Sequence, residues 1–546
     1  MMPRLSHLLC ALTAALPLSG ASPAPRDVLA DYKAAAHTMQ TRFFDFETGS
    51  WPKAIDWTSA VLGTHLAAAS ATLTTTDPAL ADSYLSELLA FYYGQASESL
   101  KLQAYDDILW VVLNWLEAVQ TIDHRVAVLP KGSWTGAEWR RTFAARSYDF
   151  YQIAHNGWDN DLCDGGMIWS PWLEPYKNAI TNELYISASI GMFLHHPYPA
   201  RNETYLWNAI RAHEWLTSSN MTDAGGLYTD GFHVSNLRAG GKQCDKRDEM
   251  VYTYNQGVLL SALRGLAEAT NDEKYIVEGL QLIDAVLKSE GSVGELVFDG
   301  ILTEKCDPGG YCSQNGQTFK GIFMHHLTTF CKPLTHASRL APATKRSHRL
   351  SCARYQTFIR RAAHTALITR NEHGVMGSWW GIPAGLLTST HSTHDTRPPG
   401  TSDFENMCVS SLQAHACEAA QRPSGTRWGD LNDRGRGRTV ESHSGGLAAL
   451  RALLVLNAQT NVKTRSMRAA EMWRDIGKSR WAAALEVMVV AAAALWMVTI
   501  VCWSAKAGEK AGEKGMGKGK GKGKEKEQQV EVEEVDEVGK GAYGTF

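Results

Sequence analysis

Ala104-Tyr105-Asp106-Asp107-Ile108-Leu109-Trp110 opens an apolar run that continues at helical spacing to Val119. Carboxylates suit the first turn of a helix, where unpaired N–H groups and the dipole favour negative charge. One aspartate there is ordinary capping or surface solvation. Two side by side, between Tyr105 and Trp110, also fit a pair that shares one proton and serves as the acid and the nucleophile or base of a glycosidase. Like charges this close cannot both ionise cheaply, so one pKa should rise and the two should titrate together. Neighbours in a helix leave it in different directions, so two such carboxyls can face one sugar from two sides.

Outward from this stretch, apolar residues recur at helical spacing over 28–42, 55–73, 80–93, 108–119, 137–153, 178–194, 205–216, 254–269, 275–287, 320–327, 353–367, 406–420 and 445–456. Alternating strands with hairpin turns are scarce. So many helices exceed a simple bundle, and no motif repeats at the fixed period an α-solenoid requires. Segments 155–175 and 223–250 are long loops rich in Gly, Trp, Asp and Asn, and such loops in a compact domain are more often functional than idle. The expected fold is all-α: helical hairpins in a ring, with their loops crowding one face.

Composition narrows the function class. The 546 residues carry a net charge of −3, with 20% charged and 44% hydrophobic residues, so no global bias points to nucleic acid. The 18 Trp and 18 Tyr supply flat faces that stack on sugars as well as filling cores.

The two ends read as targeting segments. Residues 1–21, with Arg4, an apolar stretch and Ser19-Gly20-Ala21, have the pattern of a signal peptide. Residues 22–460 form the expected catalytic domain, and 461–480 a basic juxtamembrane linker. Residues 481–505, apolar apart from Glu486 and Lys506 beyond, form a single transmembrane helix with Trp481, Trp496 and Trp503 as interface anchors. Residues 506–546 are a disordered Lys/Gly/Glu-rich tail on the cytoplasmic side. The expected location is the secretory pathway, at the cell surface or an endomembrane, as a single-pass protein with its catalytic domain outside. Cys163, Cys244, Cys306, Cys312, Cys331, Cys352, Cys408 and Cys417 remain once the two ends are set aside, an even number that suits disulfides. Spacing leaves the pairing open, although Cys306 and Cys312 could close a tight loop. Asn202-Glu203-Thr204 and Asn220-Met221-Thr222 are glycosylation sequons.

The loops carry a resemblance. Tyr105 to Trp110, with Leu113-Asn114-Trp115-Leu116-Glu117-Ala118, is followed in order by four further motifs. These are Trp158-Asp159-Asn160-Asp161-Leu162-Cys163-Asp164-Gly165-Gly166-Met167-Ile168-Trp169-Ser170, Tyr176-Lys177-Asn178-Ala179-Ile180-Thr181-Asn182-Glu183-Leu184, Tyr252-Thr253-Tyr254-Asn255-Gln256-Gly257-Val258-Leu259 and Phe319-Lys320-Gly321-Ile322-Phe323. Together they resemble glycoside hydrolase family 76 over 27–457, and Thr48-Gly49-Ser50-Trp51 with Asp56-Trp57 resembles its fungal members. The resemblance implies an (α/α)6 barrel of six inner and six outer helices. It implies an endo-acting, configuration-retaining α-1,6-mannanase, or a transglycosylase that moves mannan-bearing anchored proteins onto the cell wall. By the same match Asp106 is the nucleophile and Asp107 the general acid/base. The implied partner is α-1,6-linked mannan. A two-carboxylate mechanism requires no metal or organic cofactor, and no Rossmann or P-loop pattern is present. A non-catalytic mannan-binding surface protein is the alternative from another class.

The expected substrate-binding residues are Trp57, Tyr105, Trp158, Asp164, Gly165, Gly166, Trp169, Lys177, Asn178, Asn182, Asp230, Tyr254, Asn255, Gln256 and Lys320. Each also has a plain structural reading. Gly165-Gly166 either brings backbone close to a ligand or makes a tight turn. Trp158 and Trp169 are stacking platforms or core. Asn182 binds a hydroxyl or holds its loop, Asn255 and Gln256 cap a helix, and Lys320 snorkels. Trp379-Trp380-Gly381 is a candidate for a further subsite, whereas His155 and His213 read as structural. The chain departs from the family in Asp164, where glycine is usual, in basic or Pro-rich stretches at 341–349 and 388–400, and in a Gly/Arg-rich segment at 422–443. The last barrel helix matches only loosely, and without it the annular core would stand open.

Overall fold

The computed structural model describes residues 27–459, apart from 133, 199, 293, 335–337, 382–402, 404, 407–429 and 434. Its helices are α1 (Val28–Phe43), α2 (Asp56–Leu73), α3 (Pro78–Gly94), α4 (Ser97–Leu100), α5 (Tyr105–Val128), α6 (Trp139–His155), α7 (Ala179–His195), α8 (Glu203–Ser218), α9 (Thr253–Thr270), α10 (Lys274–Leu287), α11 (Gln314–Phe330), α12 (Pro342–Arg354) and α13 (Gln356–Ile368). A last helix, α14, covers 440–459.

The helices fall into two layers by how much of their circumference is apolar. α7 is buried without a break from Ala179 to Ile190, and α11 from Gly316 to Thr328. Helices buried all round belong inside a core. By contrast, α10 buries Tyr275, Ile276, Gly279, Leu282, Ile283 and Val286, the single stripe of an outer helix.

Inner helices pack in sequence order, α2 on α5, α5 on α7, α7 on α9 and α9 on α11. The approach of α9 to α11 is close because Gly257 has no side chain: a Cβ there would lie 2.5 Å from Phe323 Cα. α14 closes the ring. Gly321 of α11 faces Gly445, Thr58 of α2 donates to Glu441 Oε1 at 2.7 Å, and Arg451 Nε donates to Thr72 Oγ1 at 3.1 Å. Outside them lie α3, α6, α8 and α10, each against the inner helix it follows. α1 lies against α14, where Ala35 O meets His443 Nε2 at 2.9 Å. Among the described residues the ring is therefore complete, as an (α/α) barrel requires, and its loosely matched last helix is in place.

All six inner helices begin at one mouth of the barrel. Trp57 stacks on Trp110 and donates to Asn315, while Gln314 donates to Glu441. The mouth is further shaped by a small antiparallel sheet that helical periodicity did not foretell: β1 (Tyr176–Asn178), β2 (Gly231–His233) and β3 (Lys246–Asp248). β1 pairs with β2 in the register Tyr176↔His233 and Asn178↔Gly231. A hairpin of β4 (Val297–Phe298) and β5 (Ile301–Leu302) lies before α11. Each strand is too short to show an alternating pattern.

Three disulfides join Cys163 to Cys244, Cys306 to Cys312 and Cys331 to Cys352. The first ties the loop before β1 to the loop before β3. The basic stretch at 341–349 lies almost wholly in helix α12. Asn406 lies in a turn, and the rest of the helix expected over 406–420 lies outside the described residues. The expected signal peptide, linker, transmembrane helix and tail, together with Cys408 and Cys417, lie outside the described residues. Among those described, no helix is long and apolar enough to cross a membrane.

Candidate active site

Asp106 and Asp107 occupy the first turn of α5, whose preceding residue, Ala104, supplies no side-chain cap. Both are half-buried. The loop after α6 docks onto this turn: Tyr105 N–H donates to Trp169 O at 2.8 Å, and Trp169 N–H to Tyr176 O at 2.8 Å. That places the Trp169 indole, whose Nε1–H donates to Asp106 Oδ2 at 3.0 Å.

The two carboxyls differ in their surroundings. Burial pushes the Asp106 pKa up to about 7, opposed by hydrogen bonds from the Asp107 backbone N–H and Trp169. Burial also pushes Asp107 well above the usual range, and the charges of Asp106, Glu405 and Asp56 add to the rise. Asp106 therefore has donors that favour its anion, whereas Asp107 has acidic neighbours that favour its protonated form.

The sheet delivers another acid. Ala179 N–H donates to Asp230 O at 2.8 Å, and Tyr176 Oη donates to Asp230 Oδ2 at 2.6 Å, which fixes the carboxyl beside the start of α7. Burial, with the charges of Asp248, Asp403 and Asp106, raises its pKa to about 7 despite the Tyr176 bond. Glu405 is also pushed up to about 8 by burial and by Asp230 and Asp106, while its Oε2 accepts from Asn315 Nδ2 at 3.1 Å. Asn315 Oδ1 in turn accepts the Trp57 indole N–H at 3.1 Å. Tyr254, stacked on Phe319 at 3.9 Å between centroids, is raised by burial and by Glu405, Asp230 and Asp106. Asp106, Asp107, Trp169, Trp57, Asp230 and Tyr254 are thus brought together, and Glu405, Asn315 and Tyr176 join them. Tyr105, buried, braces the turn with its ring against Gly157.

Several other expected residues turn inward. Lys177 Nζ meets Gly166 O at 2.7 Å, Asp159 O at 3.2 Å and Asp159 Oδ2 at 3.2 Å, so its protons are spent on holding the loop. Burial draws its pKa down to about 8. Asn182 accepts from Met167 N at 2.7 Å and donates to Met167 O and Asn178 O. Asn178 caps α7 through Thr181 N–H. Gln256 clasps Tyr228 through both its N–H and its C=O and also donates to Tyr252 O. Lys320 pairs with buried Asp307 beneath Trp380. Asn255 is fully buried, and neither of its amide atoms has a hydrogen-bond partner.

Gly166, at φ +88°, makes room for a protein ring: a Cβ would lie 2.5 Å from Trp215. Gly165 faces the same indole. Trp158 and Asp164 line a hollow with Asn160, Arg211, Glu214 and Gln243 that includes neither Asp106 nor Asp107. Arg211 covers the Trp158 ring at 3.9 Å from its centroid. Trp379 and Trp380 are buried. His155 bonds Tyr185 and His213 pairs with Glu278, both as packing elements.

Sequence reasoning missed Glu405, Asn315 and Tyr176 as members of the site. Tyr176 stands in a quoted motif, and its signal was its place next to Lys177. Glu405 offers only an acid in a loop, and nothing local marks it.

The family model for glycosyl hydrolase family 76 matches residues 28–382. The chain is similar to mannan endo-1,6-alpha-mannosidase DFG5 of Saccharomyces cerevisiae, 27% identical over 197 residues, covering 34% of this chain and 39% of that protein. It is also similar to mannan endo-1,6-alpha-mannosidase DCW1 of Candida albicans, 24% identical over 179 residues, covering 31% and 36%. These matches span well under half the length of either relative. Among solved structures, the α-1,6-mannanase GH76A of Salegentibacter sp. HEL1_6 superposes with a TM-score of 0.53 at 16% identity, covering 79% of this chain and 100% of that one. Dfg5 from Chaetomium thermophilum, in complex with glucosamine, gives a TM-score of 0.50 at 16% identity, covering 78% and 90%. At such identity the likeness is one of fold, whereas the family model extends across most of the helical ring. The chain belongs to glycosyl hydrolase family 76.

Proposed function

We propose that the protein is an endo-acting glycoside hydrolase that cleaves or transfers α-1,6-linked mannan with retention, through a glycosyl-enzyme intermediate. The observation that carries this reading is the asymmetry of the pair at the start of α5. Asp106 accepts an indole N–H that favours its anion, whereas burial, and after it the acids around Asp107, shift Asp107 toward its protonated form. Asp106 attacks the anomeric carbon while Asp107 protonates the leaving oxygen. Asp107, now ionised, then takes a proton from the incoming nucleophile. Water as that nucleophile gives hydrolysis and a sugar hydroxyl gives transfer. Two relatives are named mannan endo-1,6-alpha-mannosidases, and an inactive Salegentibacter variant with two consecutive aspartates replaced was solved with α-1,6-mannotetrose. Trp57, Asp230, Tyr254 and Glu405 then surround the sugar.

The test is product analysis on α-1,6-manno-oligosaccharides, reading anomeric configuration and chain length. Retained products support the reading, and products longer than the substrate assign transfer. Inverted products, or no turnover of any α-1,6-mannan, would overturn it. The same proposal places the domain outside the cytosol, which the three disulfides among the described residues suit. A chain whose disulfide cysteines are all reduced when isolated from cells would contradict that placement.

A further inference from the structure

Between Trp169 and Tyr176 the loop closes on itself, with Trp169 N–H donating to Tyr176 O at 2.8 Å, and its tip, 171–174, is exposed. At that tip Trp172 is 69% exposed and Leu173 56%. A single exposed aromatic side chain is ordinary by itself. This indole, however, is held in place. Its Nε1–H donates to Leu102 O at 2.9 Å, and its backbone N–H donates to Ser170 Oγ at 3.2 Å. Pinning the ring's polar edge to the chain just before α5 leaves its faces free and pre-oriented. Among the exposed aromatic side chains described, Trp172 is the one within three residues of a side chain bonded to Asp106. Three residues reach at most about 10 Å, a span that a short oligosaccharide covers.

We propose that Trp172 is a sugar-stacking platform on the rim of the cleft, taking a pyranose face of the α-mannan chain beyond the residues that flank the scissile bond. The inference rests on the mannan reading of the site and adds to it a preference for longer chains. A polysaccharide fits this rim better than a lipid surface does. Its nearby charges are balanced, with Lys101 paired to Glu98 and Arg238 to Glu174, and an anionic membrane is recognised by an uncompensated basic collar. Trp172 acts by binding and touches no reacting atom, so its signature is a change in KM that depends on chain length.

The experiment measures kcat and KM of the full chain on α-1,6-manno-oligosaccharides of increasing length, for the native protein, Trp172→Ala, Trp172→Tyr and, as an exposed aromatic elsewhere, Tyr198→Ala. Trp172→Ala is expected to raise KM for the longer substrates by roughly three- to tenfold, the worth of one aromatic stack. It should leave kcat, and both constants for the shortest substrate, unchanged. Trp172→Tyr should recover most of the loss, and Tyr198→Ala should show none. An unchanged KM at every length would overturn the inference, as would an equal rise at every length, which would mark a disturbed loop. Sedimentation with phosphatidylcholine–phosphatidylserine vesicles that is lost in Trp172→Ala would reassign the ring to lipid and also overturn it. Native protein inactive on every length would instead remove the mannan reading, and the platform with it.

Discussion

At one mouth of the barrel the first turns of the inner helices carry Asp56, Asp106 and Asp107, with Glu441 at the start of α14. At the other, the second halves of the same helices carry His195, Arg264, His325, His326 and Arg451. Parallel helices account for this polarity, because acids suit N-terminal ends and cations C-terminal ends. Arg264 shows it directly, donating to Phe330 O at 2.9 Å and Pro333 O at 3.0 Å where α11 ends. Charge complementarity therefore does not distinguish the mouths as sites. Burial does, in opposite directions. At the acidic mouth it pushes carboxyls up toward neutrality, where they can exchange protons. At the basic mouth a cavity of about 230 Å³ is lined by His65, Glu117, His325, His326 and Lys332. There burial lowers His65 and His326 to about 3, leaving neutral rings that are poor proton donors.

The contrast is sharpest for the aspartates. Asp106→Asn and Asp107→Asn should each lower turnover of α-1,6-mannan by about 10³-fold or more, the combined weight of a lost nucleophile or acid/base. Stability should hold or rise, since each change removes a carboxyl that burial disfavours. Reducing-end release with circular dichroism on the same samples checks both halves. Full activity in either variant would dissolve the distinction between the mouths.

Trp169→Phe is the next largest. The indole N–H favours the Asp106 anion, so removing it raises that pKa and moves the rising limb of the pH–rate profile to higher pH. The loss of one hydrogen bond to a charged group should lower kcat roughly tenfold. A limb that stays in place or moves to lower pH would show that Asp106 is not the group that must be ionised.

Stability should also depend on pH through the acidic mouth. The folded pKa of Asp230, about 7, and of Glu405, about 8, lie above the usual carboxylate range, and Glu183, fully buried with neither oxygen hydrogen-bonded, is raised too. Between the unfolded values near pH 4 and these folded values each of these acids keeps its proton in the native state and loses it in the unfolded chain, so the stability they contribute falls as pH rises. His65 and His326, lowered to about 3 by burial, act in the opposite sense below about pH 6.5, so the acids are read by difference: Glu183→Gln should raise the melting temperature more at pH 8 than at pH 5. An effect of Glu183→Gln equal in size at both pH values would mean that Glu183 is ionised and solvated in the folded state.

The sequence revealed the barrel better than the site, for a physical reason. Helical periodicity is local, and α2, α7, α9 and α10 begin and end within two residues of where their apolar spacing places them. It was blind to β1–β3, whose three-residue strands carry no pattern, and so to the pairing that sets Asp230 beside α7. The aspartate pair was legible because two acids opened an apolar helix. Motif membership was a poorer guide to exposure. Lys177, Asn182 and Gln256 lie in recognisable motifs, yet spend their hydrogen bonds on loop backbone, and Gly165-Gly166 accommodates Trp215. A motif records what the site needs to stand as well as what it needs to react. Glu405 belongs to neither class of signal, since only folding brings it to Asn315.

The smallest expected effect lies at the basic mouth. His65 is 2% exposed, and its Nε2 has no hydrogen-bond partner, so the folded state bears the cost of a desolvated polar atom. Its ring meets His325 edge-on at 5.7 Å between centroids, a packing contact that an apolar side chain can approximate. His65→Leu should therefore change turnover of mannan by less than about twofold and leave the melting temperature level or slightly higher, because replacing an unsatisfied buried polar group with an apolar one of similar size is near neutral or stabilising. The variant tests the contrast from its quiet side. Were His65→Leu to cost as much activity as Asp107→Asn while melting normally, the cavity would have to act on the carboxyls through the length of the inner helices, and the two mouths would form one functional unit.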